Sequence, residues 1–451
     1  MIRRIICSVL RVALRVYYRR IEVAGLENVP RDSPVIFVLN HPNALVDPAF
    51  LLCLAPRRVA FVAKAPLFGM PVIGSLVRAL DSLPAYRRQD EGQDTSRNIE
   101  TFTAARKLLA RGITIGICPE GVSHDEPRLK PLKTGAARIA LAAASSGEAL
   151  DLKIVPVGLY YTEKTTFRSS ALLYFAEGLP VKRVTLEPDG TPPREAVREL
   201  SDQIETALRE VMLHAEQEEA LSLIGRAEQI FSAAEIDEHD EEQRLARSLE
   251  LRQRFLQGYA FYRSHSPRRI DAIEARIARF EYEMKEAGID PADLSLPPTA
   301  AHTIFRLVAQ IVTCVLLAPF ALFGTVVHYP AYRLAGYLSR RLARHEQDVL
   351  TTFKIISAML FFPLTWIVIS AVSWRVAGWL AGVAAMIVTP LCGYVAVRFF
   401  EEIDRFFGSF VALALFVTRR RSFVRLLAER AAIHRDILAL GDEAAPLVKA
   451  V

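Results

Sequence analysis

A histidine and an aspartate stand close together just after an apolar run, in the segment Asn40-His41-Pro42-Asn43-Ala44-Leu45-Val46-Asp47. A neutral imidazole takes a proton near pH 7, and a carboxylate on its other nitrogen fixes the tautomer and stabilises the imidazolium that forms. The pair supplies two members of the Ser-His-Asp arrangement, with a substrate hydroxyl in place of the serine. A second polar cluster, Pro119-Glu120-Gly121-Val122-Ser123, follows another apolar run. Its glycine permits close backbone approach, Glu120 and Ser123 can hydrogen-bond a polyol, and free amides can hold a phosphate. A third, Tyr86-Arg87-Arg88-Gln89-Asp90, offers two guanidinium forks suited to a phosphate. Lys130 and Lys133 precede Thr134, where a helix is expected to open, and can add to an anion site there. Taken singly, the second cluster reads as an ordinary turn and the third as a solvated basic loop.

The elements around these clusters alternate. Ile21–Ala24, Pro34–Leu39, Val59–Val62, Ile113–Cys118 and Ile154–Leu159 read as short strands, mostly continuous in apolar residues. Thr101–Ala110, stopped by Gly112, and Thr134–Ala144, opened by a threonine cap, read as helices. Strands separated by helices predict an α/β domain over 21–215, with a mostly parallel sheet flanked by helices. Polar chemistry in such a sheet gathers at strand ends, where the first two clusters lie. Residues 216–298 are rich in Glu, Arg, Ala, Gln and Leu and predict a charged helical arm and linker. The wider stretch 194–290 shares this composition, and Ile204, Leu208 and Val211 form a helical stripe in it. Glu235–Asp240 is an acidic break and Pro291–Pro298 a linker.

The chain has 451 residues, a net charge of +6, 51% hydrophobic residues and a mean hydropathy of +0.21. That composition excludes a disordered chain, a collagen-like fibre and a small disulfide scaffold, and the charge is too mild to indicate nucleic acid. The five cysteines form no CxxC pair and are expected to be reduced. Leu307–Val327, Ile355–Trp374 and Val376–Val397 contain no Asp or Glu, Lys or Arg. About 20 helical residues cross a hydrocarbon core of about 30 Å, so 299–425 predicts an α-helical membrane region. Basic residues flank 355–374 and 376–397 on one side, which predicts a hairpin with both ends cytoplasmic. Pro319 and Gly324 predict a re-entrant or interfacial broken helix over 305–328, with a third span as the alternative. The run 406–418 is too short to span and is expected to be interfacial, with 426–451 a tail. No cleavable signal peptide is expected in residues 1–20, which read as a basic amphipathic helix for an anionic membrane surface.

The ordered blocks NHPNALVDP (40–48), AKAPLF (63–68), LPAYRRQD (83–90), CPEGVSHDEPRLKPLKTGAARIA (118–140) and IVPVGLYY (154–161) resemble the phospholipid/glycerol acyltransferases. The resemblance covers roughly 20–215, and the C-terminal region resembles the branch of fungal-type glycerol-3-phosphate/dihydroxyacetone-phosphate acyltransferases and their bacterial relatives. It implies transfer of a fatty acyl group from acyl-CoA or acyl carrier protein to a hydroxyl of glycerol 3-phosphate, dihydroxyacetone phosphate or 1-acyl-glycerol 3-phosphate. On the family pattern His41 is the general base and Asp47 its orienting acid. Arg87, Arg88, Glu120, Gly121 and Ser123 bind the acceptor, and Pro156 lies in the last block. Asn40 and Lys133 are further substrate-binding candidates. Five residues separate His41 from Asp47 where the common pattern has four, which would let Asn40 or Asn43 share the orienting role. A thioester is already activated, so no cofactor or metal is expected. The implied setting is an integral membrane protein with its catalytic domain on the cytoplasmic face, in a bacterial inner membrane or the endoplasmic reticulum. Arg11, Arg15, Arg19 and Arg20 would meet anionic headgroups. The alternatives are an acyltransferase for another lipid acceptor, a metal-dependent hydrolase using His41, Asp47, Glu120 and His124, and a non-catalytic membrane scaffold. The oligomeric state stays open.

Overall fold

In a computed structural model, the described residues are 2–71, 73–87, 90, 94–124, 126, 128–145, 151–212, 223, 226, 258–259, 261–287, 300–344, 346–418 and 420–448. They fall into two compact units. The first holds 2–212 together with Arg340–Ile355. The second holds the described parts of 215–339 and 356–448.

The first unit is built on one sheet with strand order β1-β7-β6-β2-β5-β3-β4, and β8 pairs with β6. The strands are β1 (Arg20–Ala24), β2 (Val35–Leu39), β3 (Val59–Lys64), β4 (Leu83–Ala85), β5 (Thr114–Ile117), β6 (Lys153–Tyr161), β7 (Ser170–Phe175) and β8 (Leu179–Pro180). β2 lies parallel to β5 and β6, with Phe37 opposite Gly116 and Val155. β7 and β8 run antiparallel to β6. The apolar runs are continuous because both faces are covered. Ile36 and Val38 of β2 join a core with α4 (Asn98–Ala110), α5 (Gly135–Ser145) and α6 (Arg194–Val211). Val35, Phe37 and Leu39 point the other way, into a core with α1 (Ile2–Tyr17) and α2 (Val46–Leu54). A shorter helix, α3 (Ile73–Ala79), precedes β4. The expected strands and helices of 21–145 are all present, while β4, β7 and β8 add to them.

The stripe Ile204–Leu208–Val211 extends to Val197 and Leu200 and is buried, so α6 closes the α/β core rather than starting a solvated arm. Gly158 makes this fit possible, because a Cβ there would lie 2.1 Å from the Val211 carbonyl oxygen. In the second unit, α7 (Pro267–Ala287) pairs with α11 (Arg420–Val448). Arg276 bonds Glu429 at 2.6 Å, and Arg425 bonds Glu283 at 2.8 Å. The C-terminal segment is therefore partnered to the charged arm. The expected break at 235–240 and linker at 291–298 lie outside the described residues.

Three long helices complete the chain: α8 (Ala300–Ala343), α9 (Gln347–Ala377) and α10 (Trp379–Thr418). Among the described residues, Val308–Ala343, Gln347–Ala377 and Trp379–Asp404 are long and apolar enough to cross a membrane. The helix across 305–328 is not broken: it runs on through Pro319 and Pro330. A proline removes one amide donor, and apolar surroundings leave the remaining backbone no alternative to helical bonding. Likewise 406–418 continues α10 rather than forming a separate element. Within the second unit, Gly324 meets the Cys392 backbone, and His328 accepts a 2.8 Å hydrogen bond from the Trp366 indole while its other nitrogen bonds Gly324 O at 2.7 Å. Small residues and satisfied polar groups are how apolar helices associate.

Candidate active site

His41 follows the last residue of β2 by two positions, and Asp47 sits in the first turn of α2. His41 Nδ1 and Asp47 Oδ2 are 2.9 Å apart. The five intervening residues are accommodated by a tight loop in which Ala44 takes φ +35°, a strained conformation for a residue with a Cβ. Asn43 anchors that loop: its amide donates to Asp47 Oδ2 at 2.7 Å. Asp47 is fully buried, and its other oxygen accepts from the Tyr161 hydroxyl at 2.6 Å. Three donors thus surround the carboxylate, as a buried charge requires. Tyr18 and Tyr161, with ring centroids 5.7 Å apart, form an aromatic floor beneath it. Burial foremost, and then neighbouring charges, push both phenols far above their ordinary pKa, so Tyr161 remains a donor.

The His41 side chain retains 18% exposure. Burial acts to lower its pKa. Interaction with the adjacent Cys118 and the bond and charge of Asp47 outweigh it, and the imidazole is raised well above 6.5. Burial pushes the Cys118 thiol up, and the neighbouring His41 draws it back in part. The site therefore holds an imidazole at a strand end, engaged on one nitrogen by the buried carboxylate.

The second cluster bonds to the backbone of His41. Glu120 is buried and spends its carboxylate on the protein: Oε1 accepts from the His41 amide at 3.2 Å, and Oε2 accepts from the Lys130 amide at 2.9 Å and pairs with His124. His124 in turn donates its amide to the His41 carbonyl at 3.2 Å. Glu120 thus shapes the loop instead of facing a polyol. Gly121 takes φ +75°, which favours glycine, and its carbonyl accepts from Arg87. The Arg87 fork is closed by Asp90, at 2.6 and 2.8 Å, so this guanidinium ties the third cluster to the second. Arg88 lies outside the described residues. Lys133 is exposed beside Gly121, and no described residue pairs with its ammonium. Ser123 is half-buried and donates to Asp348. Asn40 is buried and clamps β6, exchanging bonds of 3.0 and 2.8 Å with the Leu159 backbone. Its amide is spent inside the protein.

Sequence reasoning missed Tyr161 and Asp348. Tyr161 ends the last of the ordered blocks, IVPVGLYY, and its position at a strand end was the available signal. Asp348 had none, being 225 residues from Ser123. The arginines of the N-terminal segment also differ in part from expectation. Arg3 and Arg11 turn inward, to the carbonyls of Val59, Leu80 and Cys53, and Arg20 pairs with Glu22. Ile2, Ile5, Val9, Val12 and Val16 face outward in their place, and Arg15 and Arg19 stay exposed.

A histidine bonded to a buried aspartate at the end of a parallel strand, with the Glu120–His124 loop bonded to its backbone, is an arrangement able to take up a proton, and the comparisons with known proteins bear on its use. Residues 20–160 match the Acyltransferase family model. Residues 236–449 match the glycerol-3-phosphate acyltransferase 2 C-terminal domain, so the chain carries both domains in that order. Glycerol-3-phosphate O-acyltransferase 1 of Saccharomyces cerevisiae is 26% identical over 78% of this chain and 58% of its own length. Glycerol-3-phosphate O-acyltransferase 2 of the same yeast is 26% identical over 60% of this chain and 38% of its own. A 1-acyl-sn-glycerol-3-phosphate acyltransferase of Borreliella burgdorferi is 27% identical over 36% of this chain and 58% of its own. The chain thus spans less than two thirds of the length of these relatives. The crystal structure of the 1-acyl-sn-glycerophosphate (LPA) acyltransferase PlsC from Thermotoga maritima aligns with a TM-score of 0.34 at 20% identity, covering 46% of this chain and 80% of that one.

Proposed function

We propose that this protein is a membrane-bound O-acyltransferase moving a fatty acyl group from acyl-CoA or acyl carrier protein to a hydroxyl of glycerol 3-phosphate, dihydroxyacetone phosphate or 1-acyl-glycerol 3-phosphate. The observation that carries this reading is the 2.9 Å contact of His41 Nδ1 with a fully buried Asp47, itself held by Tyr161 and Asn43. With Nδ1 so engaged, His41 Nε2 takes the acceptor's hydroxyl proton as the oxygen attacks the thioester carbonyl carbon. The C–S bond then breaks, the ester forms, and the imidazolium returns its proton to the departing thiolate. The thioester is the activated partner, so the reaction draws on no resident cofactor. Lys133, beside Gly121 and without a partner for its ammonium among the described residues, is the cation for the acceptor phosphate.

The exposed apolar stripe of α1 and the three apolar helices suit a protein acting on lipid at a bilayer. The basic segments beside α9 and α10 favour a cytoplasmic catalytic domain. The test is acyl transfer by membranes carrying the full chain. Labelled palmitoyl-CoA and palmitoyl carrier protein are each offered with the three acceptors. Ester formed with one or more acceptors supports the reading. No ester from any donor and acceptor combination refutes it.

A further inference from the structure

The segment Arg340–Ile355, between α8 and α9, belongs to the same compact unit as the α/β domain. The first turns of α9 dock there through one helical face. The Thr351 hydroxyl donates to Lys164 O at 2.7 Å, the Lys354 ammonium donates to Thr165 O at 2.6 Å, and Ile355 enters the core that contains Phe37 and Phe50. Asp348, at the spacing that shares this face, accepts from the Ser123 hydroxyl. Ser123 precedes His124, whose amide is bonded to the His41 carbonyl, so Asp348 reaches the loop that covers the base.

A serine hydroxyl has one proton and two lone pairs. With the proton given to Asp348, Ser123 presents only lone pairs to a ligand, and the carboxylate itself can only accept. The loop is also polar in charge. Lys133 stands beside Gly121 with no partner for its ammonium among the described residues, while Asp348 stands at Ser123, so an acceptor phosphate is drawn toward the first and repelled by the second. We propose that Asp348 is a specificity-determining residue. Together with Ser123 it selects an acceptor that bears a hydrogen-donating hydroxyl at C2 over one that bears a carbonyl there, and it orients the phosphate away from itself. This rests on the reading of the site as a glycerol-phosphate acyltransferase.

The experiment compares kcat and KM for glycerol 3-phosphate and dihydroxyacetone phosphate in membranes carrying the full chain, as wild type, Asp348→Asn and Thr351→Val. An amide can donate as well as accept, so it abolishes the one-way pattern while keeping the shape. A lost hydrogen bond to a charged group amounts to about tenfold or more. Wild type is expected to prefer glycerol 3-phosphate by about that factor in kcat/KM. Asp348→Asn should reduce the preference to within about twofold, through a raised KM for glycerol 3-phosphate with little change in kcat. Thr351→Val removes a docking bond and leaves the carboxylate, so it should keep the preference whatever it does to stability. A preference unchanged in Asp348→Asn, or lost equally in Thr351→Val, overturns the proposal. Wild type inert toward both acceptors but active on 1-acyl-glycerol 3-phosphate overturns this proposal alone, and wild type inert toward all three overturns the underlying reading as well, which separates the two failures.

Discussion

Replacing Asp47 by Asn tests the geometry of the site with one atom. The amide fits the same space. With its oxygen in the Oδ2 position it still accepts from His41 Nδ1 and the Asn43 amide, and its NH2 faces Tyr161, whose hydroxyl can turn to accept. What is lost is the negative charge. His41 and Asp47 touch at 2.9 Å, which puts the charge centres about 4 Å apart, and at an effective dielectric constant of about 20 that attraction is about 4 kcal/mol. The amide dipole recovers part of it, so kcat should fall about 10²- to 10³-fold. The sign of the pH effect follows from the same balance. In wild type His41 must lose a proton to act, and its pKa is raised above 6.5, so kcat/KM should climb with pH through a value above 6.5. Without the carboxylate, only Cys118 still opposes burial, and the acid limb should move to lower pH. The assay is ester formation from labelled palmitoyl-CoA, from mildly acidic to mildly alkaline pH. An Asp47→Asn protein that is folded and runs at full rate, with its acid limb in place, would refute the role given to Asp47.

Other perturbations carry equally definite outcomes. Tyr161→Phe removes one of the donors to the buried carboxylate, and a lost bond to a charged group should cost about tenfold in kcat or more, with acceptor KM unchanged. Lys133→Gln should raise the KM for a phosphate acceptor about tenfold and leave kcat nearly intact, measured by initial rates against acceptor concentration. Gly158→Ala drives a Cβ to 2.1 Å from Val211 O and should cost about 3 kcal/mol, lowering the apparent melting temperature of the detergent-solubilised protein by roughly 6–12 °C.

Much of this molecule was legible from residue order because burial on both faces leaves a plain mark. β2, β5 and β6 are largely apolar, so strands and their helical spacers stand out. β4 does not: it has three residues, one of them Pro84. β7 is legible only through its partners, since nothing local says that Ser170–Phe175 pairs with β6 on one side and β1 on the other. His41 and Asp47 were legible because imidazole and carboxylate at a strand end have few uses. Asn40 and Glu120 were legible as polar but not as internal clamps, since whether an amide faces a ligand or a neighbouring strand depends on contacts 119 and 79 residues away. The arginines of α1 misled for a related reason. Their forks reach carbonyls at the ends of strand and helix segments, which turns the apolar face outward. Pro319 reads as a break in water but not in a long apolar helix, where unbonded amides have no solvent to turn to.

The most direct measurement is acyl transfer by His41→Ala beside wild type, both inserted in membranes and matched for amount and melting temperature. A general base contributes about 10²- to 10⁴-fold, so the variant should lose at least about a hundredfold in kcat with every acceptor that wild type uses. Activity within about twofold of wild type would contradict His41 as the base and, with it, the mechanism built on the His41–Asp47 pair.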